Sequence, residues 1–127
     1  MKKNFNEVAA VFGYHVHIYF EPGKVSETTA RELVEELKSR FGDDVDSAAK
    51  IGKIGPHTAP NFAVHITKKG FTDIVSWTQL NANGLSILIH PETGDELKDH
   101  LDSSMWIGKP MEYNDAFFNQ FKRPKFG

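Results

Sequence analysis

Phe12-Gly13-Tyr14-His15-Val16-His17-Ile18-Tyr19-Phe20 is an apolar run interrupted by two histidines at i, i+2. In a β-strand successive side chains point to opposite faces, so His15, His17 and Tyr19 share one face and Tyr14, Val16, Ile18 and Phe20 the other. One face is suited to a core and the other presents two imidazoles. A His-x-His strand can direct both side chains at one metal ion, because residues two apart on a strand point the same way.

Downstream, Glu21-Pro22-Gly23 signals a turn. Ser26 stands at an N-cap position, Glu27 in a first turn, and Ala30, Leu33, Val34, Leu37 and Phe41 fall on one helical stripe that Gly42 should end. Val45, Ala48, Ala49, Ile51 and Ile54 read as a second strand. Gly55-Pro56-His57-Thr58-Ala59-Pro60 must be a connection, because two prolines and a glycine do not fit a regular ladder. Asn61–Ile66 is a third strand with Phe62, Val64 and Ile66 on one side and Ala63 and His65 on the other. Thr72 and Asp73 should cap a second helix carrying Ile74, Trp77 and Leu80, which Asn81-Ala82-Asn83-Gly84 ends. Leu85–His90 is the fourth strand.

The order βαββαβ predicts an α+β, ferredoxin-like sandwich: an antiparallel sheet with two helices on one face and the first strand central. Placing the apolar sets beneath the helices puts His15, His17, His65 and His90 together on the opposite, helix-free face. Such a face needs a cover, so a homodimer or a folded-back tail is expected. His57, which follows the second strand, should lie towards the other end of the sheet from His15 and His90.

Composition narrows the chemistry. The 127 residues, with no repeat or linker-like stretch, are treated as a single domain, 1–127. A net charge of −2, from 15 basic and 17 acidic residues, gives no footprint for nucleic acid. With no cysteine, a metal must sit on histidine and carboxylate. The N-terminal apolar run is too short for a signal segment and no stretch is long enough to span a membrane, so a cytoplasmic location with no membrane partner is expected.

Three blocks resemble the DOPA 4,5-dioxygenase family: Tyr14–Phe20, Gly55-Pro56-His57, and Leu85 to His100 with its His90-Pro91-Glu92-Thr93-Gly94-Asp95 run. Trp106-Ile107-Gly108 resembles that family's ending, so the resemblance spans about residues 12–108. The aromatic-rich tail, 109–127, with Met111, Tyr113, Phe117, Phe118 and Phe121, lies outside it. The resemblance implies extradiol cleavage of a catechol ring by a non-haem centre using O₂. It implies Fe(II), with zinc or another divalent ion as the alternative, held by His15, His17, His57 and His90. His100 and His65 are the expected proton-transfer residues, and Asp95 is read as a turn or cap residue. The competing readings are a metal- or small-ligand-binding dimer without turnover, and an interaction protein whose histidines line a subunit interface.

Overall fold

The computed structural model describes residues 4–53 and 55–113. Strands β1 (Gly13–Tyr19), β2 (Val45–Ile51), β3 (Asn61–Ile66), β4 (Ile87–Glu92) and β5 (Met105–Ile107) form one antiparallel sheet in the order β2-β3-β1-β4-β5. Helices are α1 (Val25–Phe41), α2 (Phe71–Asn81) and the short α3 (Glu96–His100). The expected ferredoxin-like order is present, with β1 between β3 and β4, and β5 and α3 are additions to it. Ile54 and the tail aromatics Phe117, Phe118 and Phe121 lie outside the described residues.

One sheet face builds the core. Val16, Ile18, Phe62, Val64, Ile66, Ile87 and Ile89 meet Ala30, Leu33, Val34 and Leu37 of α1 and Ile74 of α2, all buried. Each large aliphatic side chain removed from water contributes roughly 1.5–3 kcal/mol, so this alternation determines which face turns inward. The opposite face is covered as well. α3 packs against β4 and carries the buried His100 over the histidines. That face is therefore not helix-free.

Local signals shifted by a residue or two. α1 starts at Val25 with no side-chain cap at Lys24; Ser26 Oγ instead accepts from Glu21 N–H at 2.8 Å and tightens the preceding turn. Gly42 is right-handed helical (φ −48°) and opens a 3-10 turn. α2 likewise starts before Thr72, at Phe71, and the Gly70 N–H is met by Thr67 Oγ1. Leu80 is exposed and Thr78 takes the buried position, its hydroxyl donating to Ile74 O. β4 begins two residues later than expected and runs on through Pro91 to Glu92. β5 pairs only with Ile87 to Ile89, so the proline takes no donor from that ladder.

Candidate metal centre

Register builds the site. His15 of β1 stands opposite His65 on β3 and opposite His90 on β4, a row of three imidazoles across adjacent strands. His17 lies one step along β1, its Nε2 3.2 Å from His90 Nε2. The Gly55–Pro60 connection does enter β3 at the end away from His15 and His65, but it folds back over the sheet. His57 thereby reaches His17, with ring centroids 4.3 Å apart. A bridge between His57 and Tyr113, and a hydrogen bond from Thr58 Oγ1 to Glu112 O, tie this loop to the start of the tail. His100 completes the set, 4.0 Å from His90 and 5.8 Å from His57 between centroids. All six histidines form one connected cluster. The expectation that His57 lies near the other end of the sheet holds for the strand it follows but not for its side chain.

Burial and neighbours determine the charge state. His17, His57, His90 and His100 are buried. Burial holds His17 well below the usual histidine pKa, aided by nearby His57 and His90 and opposed by the Asn61 hydrogen bond. Burial takes His90 down to about 3, with His100 next in effect, and His57 down to about 4, again with help from His100. His15 is also lowered, by burial, against the pull of Glu92. Desolvation disfavours the imidazolium, so these rings are neutral at physiological pH.

A neutral imidazole has one N–H and one lone pair, and the partner of one nitrogen decides the role of the other. His90 Nδ1 lies 2.9 Å from Pro91 O, which can only accept, so Nδ1 carries the proton and Nε2 the lone pair. His17 Nδ1 lies 2.9 Å from Asn61 Oδ1, the amide being oriented by its own Nδ2 donating to Ala59 O. His17 Nε2 is thus also a lone pair, directed at that of His90. At His15, Nε2 donates to Glu92 Oε1 at 3.0 Å, which leaves Nδ1 as the basic nitrogen. His15, His17 and His90 each offer a ring nitrogen within 4.8 Å of the other two. The facing lone pairs of His17 and His90 repel unless a cation lies between them, and ligating histidines are held in place by such outer hydrogen bonds. The donor set fits a divalent transition metal.

The flanks differ from this centre. His65 lies between Asp46 Oδ2, 3.2 Å from Nδ1, and Glu92 Oε2 at Nε2; it packs on Gly13, where a Cβ would come within 3.0 Å of Nε2. His100 Nδ1 meets Glu96 O at 2.9 Å. Asp95 is the N-cap of α3, accepting from Lys98 N–H. Asp99 does not orient His100; its carboxylate accepts from Thr93 N–H and Oγ1–H. Beside His57 stand Tyr19, Trp106 and Tyr113, with centroids 5.8 Å (Tyr19–Trp106) and 6.0 Å (Trp106–Tyr113) apart. Asn61 and Glu92 were given no role in the sequence reading. The signal for both was strand parity, since Asn61 alternates in phase with His65 and Glu92 with His90.

Fold and site together define a small α+β protein with a histidine-lined candidate metal centre. The chain belongs to the Dopa 4,5-dioxygenase family, which it matches over residues 14–116. It is 29% identical over 107 residues to a DOPA 4,5-dioxygenase of Amanita muscaria, covering 80% of this chain and 47% of that protein. It is 30% identical over 121 residues to an uncharacterized 21.2 kDa protein of Botryotinia fuckeliana, covering 88% and 66%. The chain thus spans about half the length of the first relative and about two-thirds of the second. A crystal structure of a Nostoc punctiforme protein provisionally described as a dioxygenase superposes with a TM-score of 0.83 at 34% identity, covering 93% of this chain and all of that one.

Proposed function

We propose that this chain is a non-haem, metal-dependent dioxygenase of the extradiol type, acting on a small catecholic aromatic with O₂. Fe(II) is the metal this reading favours, held by His15, His17 and His90. The observation that carries it is the set of three neutral imidazoles, each with one nitrogen engaged by Glu92, Asn61 or Pro91 O and each offering a ring nitrogen within 4.8 Å of the other two, with the free Nε2 atoms of His17 and His90 facing one another. When bound, Fe(II) supplies a Lewis acid for a catecholate and a redox centre for O₂.

The chain's own residues would do the rest. Glu92, Asn61 and the Pro91 carbonyl hold the three rings in one tautomer each. Burial of His17, His57, His90 and His100 keeps bulk water from the centre. Tyr19, Trp106 and Tyr113 offer flat apolar surfaces beside it, against which an aromatic ring can lie. His100 and His65 flank the centre on opposite sides and are the candidates for moving protons. A homodimer belongs to the same proposal, and the exposed Phe5, Val8 and Phe12 are apolar side chains that a second copy could cover. Sedimentation at micromolar concentration checks it; a monomer there removes the dimer alone.

Anaerobic loading with Fe(II), then oxygen electrode traces and absorbance spectra with L-DOPA and simple catechols, tests the activity. One iron per chain, metal-dependent O₂ consumption and a new visible chromophore are expected. Tight binding of iron or zinc with no O₂ consumption over that panel would replace the enzyme with the metal-binding alternative. His17→Ala should lose the metal and keep the fold, read by metal analysis and circular dichroism.

A further inference from the structure

His57 differs from the other buried histidines in what faces its Nδ1. His17 and His90 turn Nδ1 to amide-type carbonyl oxygens, and His100 does the same with Glu96 O. His57 turns Nδ1 to the phenol of Tyr19, at 2.5 Å. A carbonyl can only accept, whereas a phenol has a proton to place. Tyr19 is 4% exposed, and among the described residues its hydroxyl has the single hydrogen-bond partner His57 Nδ1. If Nδ1 carried the ring proton, the buried phenol proton would have no acceptor, an omission that costs about 1–3 kcal/mol. The phenol therefore donates, Nδ1 accepts, and the ring proton of His57 resides on Nε2.

Neither nitrogen of His57 then has a lone pair for a cation, although one of them lies within 4.8 Å of ring nitrogens of both His17 and His100. We propose that Tyr19 is a positioning residue that fixes His57 as its Nε2–H tautomer, making His57 a hydrogen-bond donor to a substrate oxygen and not a metal ligand. This departs from the ligand role expected for His57 from sequence. It also separates the overlapping histidine triads, since the His57 ring of His17/His57/His100 has no lone pair to give whereas His57 takes no part in His15/His17/His90. The substrate-facing part rests on the dioxygenase reading. The tautomer does not, since it is a property of the metal-free chain. The same donor suits any ligand that brings an anionic or phenolic oxygen to the centre, and a catechol is one such ligand.

Long-range ¹H–¹⁵N correlation spectra of histidine-labelled, metal-free protein at neutral pH test this directly, because protonated and lone-pair ring nitrogens resonate in separate ranges. His57→Gln assigns the signals by their disappearance. The expected wild-type spectrum has His57 with Nδ1 in the lone-pair range and Nε2 protonated, and His17 and His90 the reverse. Tyr19→Phe should move His57 towards the Nδ1–H form, and zinc should shift His15, His17 and His90 while leaving the His57 Nε2–H in place. His57→Gln should change zinc affinity less than about threefold, against a loss of more than 100-fold in His17→Ala. A wild-type His57 with its proton on Nδ1, or a collapse of zinc affinity in His57→Gln, overturns the assignment. Should Tyr19→Phe fail to fold, the wild-type spectrum and the zinc titrations still decide. Absence of any metal binding would sink the dioxygenase reading while leaving the tautomer to stand or fall on the metal-free spectrum.

Discussion

Asn61 isolates the outer hydrogen bonds of the centre, because it touches His17 and cannot itself reach an ion through it. Its Oδ1 is the acceptor that keeps the proton on His17 Nδ1, and the side chain is fully buried. Asn61→Ala should weaken metal binding about 10–100-fold, the usual effect of losing such a partner. Competitive zinc titration measures it, and an unchanged affinity would mean that the His17 tautomer is set by something else. Glu92→Gln is the parallel change at His15, since an amide can still accept the His15 N–H but no longer offers a carboxylate to both His15 and His65. A smaller loss than in Asn61→Ala is expected in the same titration. Strand alternation made the face of these residues legible in the sequence, but not their partners. Hydrogen bonds across a sheet depend on register, and the ladder pairing His15 with His90 is set by residues far apart in the chain.

At the scale of elements, β1, β3, β4 and the two long helices were legible because their apolar residues recur with period 2 or 3.6, whereas β2, whose Val45, Ala48, Ala49 and Ile51 do not alternate, read only as a weaker stretch. The caps were not: Ser26 and the Thr72/Asp73 pair had suitable chemistry, yet each helix starts one residue ahead of the expected cap. α3 and β5 were missed because five and three residues are too short for periodicity to show. Asp99 couples β4 to α3, its buried carboxylate accepting both from the Thr93 backbone and from its hydroxyl. Asp99→Ala should strand those donors at a cost of about 1–3 kcal/mol and loosen the seat of His100. Chemical denaturation measures the first effect, and faster amide exchange through α3 than through β1 reports the second.

For the whole molecule, burying neutral histidines ties stability to pH. His17, His57 and His90 titrate lower in the folded chain than the ordinary value of 6.5, so below that value the unfolded chain binds more protons. The metal-free protein should keep its full stability above about pH 6.5 and lose it progressively towards pH 4, at about 1.4 kcal/mol for each unit by which folded and unfolded pKa differ. Melting temperatures of metal-free protein between pH 7.5 and 4 check the slope; a flat profile would mean that the cluster is hydrated and easily protonated. The loss continues until the folded-state values of about 4 for His57 and about 3 for His90 are reached.

His17 and His90 face one another although they are separated by 73 positions in the sequence. A polypeptide emerging from the ribosome has made most of its core-forming segments before His90 appears. It cannot bring His17 and His15 against His90 until β4 is complete and has inserted beside β1. A site drawing on His15, His17 and His90 is therefore complete only late in the synthesis of each new molecule, and a chain ended before β4 lacks one of its three rings.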